Sequence, residues 1–449
     1  MGGIISFCVR LVQRWLPEPF IFAILLTLLA AVLSMPICHQ TLVEVVLNWG
    51  GGVWSLLGFS MQMALVLVGG SALAEAPVVR RGIDRLAVIP KSPMAAIALV
   101  TVVSSLTCWL NWGFGLIVGA IFAKAVARRL HGVDYRLLIA SAYSGFVVWH
   151  AGISGSIPLA MATDGDSLAK TTNGYLTTPV PLDQTLFDWH NVLMVILVIV
   201  AITVVNTLMH PRADVVTIDP SLLDVNDDVK ENLDKHTPAS RMENSRWLSW
   251  ILSLLGISYL LLRITIGGGT VDLGFVIMLF LFAGLLLHGT PIAYVRAFTK
   301  ATSSAAGIIL QFPFYAGIMG IITGVGASGI CLATVISDAC IAISTPSTYP
   351  LLSFISAGVV NLFVPSGGGQ WAVQAPIMFA GASQLGVDSG LTGMAIAWGD
   401  AWTNLIQPFW ALPALAIAGL SAKDIMGFCL VDLVVSGIII AGGLLLWAM

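Results

Sequence analysis

The sequence predicts an all-α polytopic membrane protein: an inverted repeat of about nine membrane-spanning helices plus two opposed re-entrant hairpins with broken helices. Three observations predict it. The 449 residues are 57% hydrophobic and only 10% charged, with a mean hydropathy of +0.94, whereas a soluble domain is about one quarter charged. Apolar windows long enough to cross a hydrocarbon core of ~30 Å recur along the whole length. The few Lys and Arg residues sit in short connecting segments, where they report sidedness.

The same numbers exclude several functions. A net charge of -3 with no basic face gives nucleic acid nothing to bind, so the lipid bilayer is the macroscopic partner. Cys8, Cys38, Cys108, Cys331, Cys340 and Cys429 are scattered without zinc-ligand spacing and read as small buried hydrophobes. No metal or cofactor is predicted. The N-terminal Arg10 and Arg14 precede a break at Leu16-Pro17-Glu18-Pro19 with no small-residue cleavage site after it, so this is read as the approach to a first span rather than a leader.

In chain order the apolar windows fall at 20–38, 52–74, 93–127, 136–163, 189–210, 247–265, 273–288, 303–326, 350–384, 391–419 and 425–447. Windows 93–127 and 350–384 are too long for one crossing, and each has a polar, Gly-rich or Pro-rich centre. Arg80, Arg81, Arg85 and Lys91 precede the first, and Lys124, Arg128, Arg129 and Arg136 close it. Both of its ends are therefore cytoplasmic, and it is a hairpin. The second lies in a stretch from Ala301 to Ala422 without Lys or Arg, so both of its ends face outward. With nine true crossings the N-terminus is cytoplasmic, the C-terminus periplasmic, and 18 of the 20 Lys and Arg residues fall inside, Lys170 and Arg263 being the exceptions.

The order of elements repeats with opposite orientation, which gives three regions. Residues 1–210 form the first repeat, 211–272 a cytoplasmic linker and connecting span, and 273–449 the second repeat. Inverted repeats of this kind are a common construction of secondary transporters, which bind substrate near the midplane where helices break.

The hairpin centres supply the candidate residues. Ser104-Ser105 and Asn111-Trp112-Gly113 lie in the first, Asn361 and Ser366-Gly367-Gly368-Gly369-Gln370 in the second. Non-helical backbone at membrane depth is tolerable only when it is buried in protein or lines a wet cavity. It exposes N–H groups that favour an anion and carbonyls that favour a cation. Asn111, Gly113, Asn361, Ser366, Gly367, Gly368, Gly369, Gln370 and Asn404 are the expected substrate-binding residues. Close helix packing is the plain alternative for the small residues, although three consecutive glycines are a poor way to build a helix.

Two later spans are also interrupted, over Tyr143 to Pro158 and Trp398 to Pro413, and form the second wall. Asp400 at membrane depth is read either as the site of a coupling proton or sodium ion, with Ser104 and Ser105 assisting, or as a packed structural carboxylate. Histidine is a residue type that can relay protons, but His150, a lone His beside a helix break, reads as structural. Asp432 and Asp338 read as interfacial or packed. Apart from Lys124 near the cytoplasmic mouth, no fixed cation lies at depth, which suits one negative charge with an apolar tail along Trp109, Trp112, Phe363 and Trp371. The seven His residues are spread singly, which argues against a membrane-embedded enzyme.

Asn111-Trp112-Gly113-Phe114-Gly115, Val364-Pro365-Ser366-Gly367-Gly368-Gly369, Gln374-Ala375-Pro376 and Gln407-Pro408-Phe409-Trp410-Ala411-Leu412-Pro413 resemble the motifs of the bacterial short-chain fatty acid transporter family. The resemblance runs from Trp15-Leu16-Pro17 to the end. It implies uptake of butyrate- or acetoacetate-type monocarboxylates at the inner membrane, two opposed hairpins and an acidic residue at the position of Asp400. The family pattern requires no His at the position of His150. Another transported anion, a dicarboxylate or an oxyanion, stays open, as does assembly into a homo-oligomer.

Overall fold

A computed structural model describes residues 19–449 except 56, 163–165, 173, 212, 220–236, 268–272, 328 and 366. The N-terminal approach, Cys8, residues 220–236 of the cytoplasmic linker and Ser366 therefore lie outside the described residues. The described chain is helical, without a strand. Its first part runs α1 Pro19–Ile37, α2 Leu42–Gly52, α3 Leu57–Glu75 and α4 Pro77–Leu86, then the hairpin α5 Pro93–Leu110 and α6 Trp112–Arg129. A broken element follows: α7 Tyr135–Ser144, a 3-10 turn Gly145–Ala151, and α8 Ser156–Ala162. Beyond it come α9 Asp166–Thr171 and α10 Trp189–Leu208, then α11 Pro238–Glu243 and α12 Arg246–Thr265.

The last part repeats the order of the first. It runs α13 Leu273–His288, α14 Pro291–Thr302, α15 Ala306–Thr323 and α16 Leu332–Ala342, then the hairpin α17 Tyr349–Asn361 and α18 Gly367–Leu385. The second broken element, α19 Ser389–Asn404 and α20 Pro408–Ala418, leads into α21 Ala422–Trp447.

Boundaries follow local chemistry. Ser92 accepts from Ala95 N at 3.3 Å with Pro93 in the first turn of α5, the usual start signal. Asn111 ends α5 and caps α6 at once, its Oδ1 accepting from Phe114 N at 3.0 Å. α20 starts on Pro408 and stops at Gly419, which has φ 69°, the left-handed conformation glycine adopts without strain.

Among the described residues, α5, α7–α8, α10, α12 and α21 are each long and apolar enough to cross a bilayer. At 18 residues apiece, α5 and α6 extend about 27 Å. α17, with 13 residues, extends about 20 Å. The apolar windows also overlook α2, which is only 11 residues long. Its start is fixed by a capping box, Thr41 N donating to Glu44 Oε2 at 2.7 Å and Glu44 N to Thr41 Oγ1 at 3.2 Å. Its C-terminal Gly52 crosses α15 so closely that a Cβ there would sit 2.5 Å from Ala316 O.

Candidate functional site

The two broken elements meet each other, and each is tied to a hairpin tip. The first break is a 3-10 turn, which leaves backbone groups without α-helical partners. The first hairpin takes them up: Ile153 N donates to Trp109 O at 2.8 Å, Trp109 Nε1 to Ala151 O at 3.1 Å, and Ser154 Oγ accepts from Trp112 N at 3.0 Å. Gly152 makes the approach feasible, because a Cβ there would lie 2.2 Å from Trp109 O.

The second break is held in the same manner by Asn361. Its Nδ2 donates to Asp400 O at 2.7 Å and to Thr403 Oγ1 at 2.9 Å, while its own carbonyl accepts from Gln407 Nε2. Asn404 Nδ2 donates to Gln407 Oε1 at 3.1 Å.

Hydrogen bonds join break to break. His150 Nδ1 lies 2.7 Å from Asp400 Oδ2, Trp149 Nε1 donates to Asn404 Oδ1 at 2.8 Å, and Tyr143 OH donates to Asn404 O at 2.6 Å. His150 Nε2 accepts from Ile157 N at 3.1 Å, so the ring proton resides on Nδ1 and is donated to Asp400. His150 is 0% and Asp400 1% exposed, and Asp400 Oδ1 has no hydrogen-bond partner. A buried carboxylate with one solvated edge removed and one lone pair unused is costly unless a proton or cation completes it.

Aromatic rings wall this point. Trp149 stacks on His150 at 4.0 Å between centroids and on Phe146 at 5.6 Å. Trp112 packs edge-on to Trp149 at 6.0 Å and to Trp410 at 5.6 Å. Trp112, Phe363 and Trp371, expected along an apolar tail, are all buried.

The expected residues thus divide into groups. Asp400, Asn361, Asn404 and Gly367 come together around His150; a Cβ on Gly367 would lie 2.9 Å from His150 Cε1. Gly368, one residue on, faces open space, so the N-terminus of α18 presents accessible backbone, and Gly369 and Gln370 continue its first turn. Asn361 and Gln370, expected to donate to a substrate, donate to protein instead, Gln370 Nε2 reaching Ala357 O at 2.9 Å and Gln374 Oε1 at 2.6 Å. Their buried Asn361 Oδ1 and Gln370 Oε1 have no partner, so they offer acceptors, which suit a cation.

Other expected residues are drawn into packing. Ser104 Oγ donates to Ala142 O and Ser105 Oγ to Thr101 O at 2.7 Å, which joins α5 to α7 and to itself rather than to Asp400. Gly113 fits against α3, where a Cβ would lie 2.3 Å from Val66 Cγ1. Asp338 is exposed. Asp432 is completely buried in α21.

Sequence reasoning read His150 as structural and placed Tyr143, Trp149, Thr403 and Gln407 in the second wall without giving any of them a partner. The available signal was the clustering of polar and indole N–H groups at both breaks, which need partners wherever backbone leaves the helix.

The model of the family described as "Short chain fatty acid transporter" matches residues 1–447. Two curated relatives carry the family's name: one from Escherichia coli (strain K12), 45% identical over 449 residues and covering 100% of both chains, and one from Haemophilus influenzae, 42% identical over 442 residues and 98% of both. Among solved structures, the Alcanivorax borkumensis YdaH transporter is similar over 96% of this chain and 98% of its own, with TM-score 0.48 and 17% identity. Neisseria gonorrhoeae MtrF, of a class titled antimetabolite efflux pumps, is similar over 98% and 97%, with TM-score 0.40 and 13% identity. On the whole-chain family match and the two full-length relatives, the chain belongs to the short-chain fatty acid transporter family, a family of transporters and not of enzymes.

Proposed function

We propose that the protein imports short monocarboxylates of the butyrate or acetoacetate type across the bacterial inner membrane by cation symport. The observation that carries the symport reading is the buried Asp400–His150 pair at the meeting of the two breaks, with Asp400 Oδ1 unpartnered. A proton or sodium ion joining Asp400 there, near the acceptor oxygens of Asn361 and Gln370, removes the cost of the unpaired carboxylate oxygen. The substrate carboxylate binds at the N-terminus of α18, Gly367–Gly369, where backbone N–H groups and the helix dipole favour an anion, facing the first hairpin tip at Asn111–Gly113. Its alkyl end lies along the indoles around Trp112.

In this reading residues 1–210 and 273–449 are inverted repeats joined by 211–272, the N-terminus is cytoplasmic and the C-terminus periplasmic. The hairpins and broken spans move together against the remaining helices. Uptake of labelled butyrate into proteoliposomes, with a proton or a sodium gradient imposed in turn, tests the proposal. Accumulation driven by one gradient, competed by acetoacetate and not by succinate, is expected. Uptake of succinate or an oxyanion in its place would overturn the substrate class, and uptake indifferent to both gradients would overturn symport.

A further inference from the structure

Away from the breaks, a cavity of about 250 Å³ opens where α3, α4, α6, α14 and α20 converge, at the end of the molecule where the basic connecting segments gather. Six charged side chains line it: Arg80, Lys124, Arg128 and Lys300 against Glu75 and Asp84. Four cations against two carboxylates leave the cavity positive. Both acids are already engaged, Glu75 with Lys300 at 3.2 Å and Asp84 with Arg129 at 3.5 Å.

Lys124 is the half-buried member, and its Nζ donates to Ile417 O at 3.1 Å, in the last turn of α20. That bond caps a helix C-terminus but uses only one of three ammonium hydrogens and brings no negative charge. Ile83, Ile121, Ala125 and Ile417 supply apolar wall beside it. The cavity lies between α6 and α20, which belong to the hairpin-bearing part, and α3, α4 and α14, which do not.

We infer that this cavity is a second anion site, on the cytoplasmic face, that holds the carboxylate of a short monocarboxylate on Lys124 with its alkyl end against the isoleucines. The inference rests on the proposed substrate class. A half-buried ammonium that gives one hydrogen bond to a neutral carbonyl and shares the Glu75 carboxylate with Lys300, in a cavity with an excess of cations and an apolar wall of small-molecule size, matches an amphipathic monoanion. Because the site borders both parts of the molecule, its occupancy acts on the inward-facing state and sets affinity from that side alone.

The test is the half-saturating butyrate concentration measured separately from each face, in proteoliposomes sorted by orientation. Lys124→Gln raises the cytoplasmic value about tenfold and leaves the periplasmic value within about twofold; Lys124→Arg keeps most of the affinity. Glu75→Gln, which releases Lys300 from its carboxylate, shifts the cytoplasmic value the opposite way, so a misfolded Lys124 variant does not decide the matter. Equal shifts from both faces, or none, in Lys124→Gln and Glu75→Gln overturn the second site while the substrate reading stands. Wild-type protein that moves butyrate from neither face overturns both. The experiment is repeated in zwitterionic lipid alone: an asymmetry that persists supports the transported anion as occupant, and one that vanishes assigns the cavity to an anionic lipid headgroup and overturns the inference.

Discussion

Asp400 and His150 form one unit, and each has its own expected signature. Asp400→Asn keeps the shape of the side chain but removes the charge a coupling cation would join. Gradient-driven accumulation of butyrate should fall by at least about tenfold, while exchange of internal for external butyrate continues. Loss of exchange and accumulation together would make Asp400 a substrate or folding residue instead. His150→Ala leaves a buried carboxylate without its donor, which typically costs about 3–5 kcal/mol and should appear as a lower midpoint of thermal unfolding in detergent. A sharper contrast comes from adjacent glycines: an alanine at 367 would press on His150 and Trp149, whereas one at 368 meets nothing within 4 Å. Uptake should drop in both variants, but the unfolding midpoint only in Gly367→Ala, and wild-type uptake in the two would remove the α18 N-terminus from the site. That Asp400 is buried was legible from its place in an apolar window. That His150 partners it was not, because 250 residues separate them and no local pattern reports so distant a contact.

At the scale of elements, every long apolar window has a helical counterpart, because about 20 apolar residues in hydrocarbon must satisfy their own backbone. The hairpins were legible for the same reason: windows 93–127 and 350–384 correspond to α5–α6 and α17–α18, with turns at Asn111 and after Asn361. Short helices were the blind spot. α2 is specified by caps and by a crossing with α15, where a Cβ on Gly320 would lie 2.2 Å from Asn48 O. Backbone cannot yield as a flexible side chain does, so Gly320→Ala should destabilise the protein by about 2 kcal/mol, read as a lower unfolding midpoint. An unchanged midpoint would mean that α2 packs more loosely than this crossing implies. Ser104 and Ser105 show the converse error. Their place in a hairpin centre pointed to a ligand, yet hydroxyls inside a helix readily bond to nearby carbonyls, and both do so here.

For the molecule as a whole, charge distribution made the sharpest expectation. Arg80, Lys124, Arg128 and Lys300, assigned to one side from sequence, line a single cavity with residues 416 and 417. The sidedness itself is open to a direct experiment. His131, in the connection after α6, and Gln384, in the last turn of α18, are both exposed. In intact cells an impermeant maleimide should label Gln384→Cys and spare His131→Cys, and the reverse pattern would invert the topology.

Composition, window length and the placement of Lys and Arg were enough to call an all-helical membrane protein with two interrupted hairpins, since solvent exclusion and backbone hydrogen bonding act on each segment locally. The convergence of His150, Asp400, Asn404 and Trp149 was settled only by tertiary structure. Hydrogen bonds between residues far apart in the chain depend on how helices cross, and crossing is decided by side-chain packing that one-dimensional periodicity does not record.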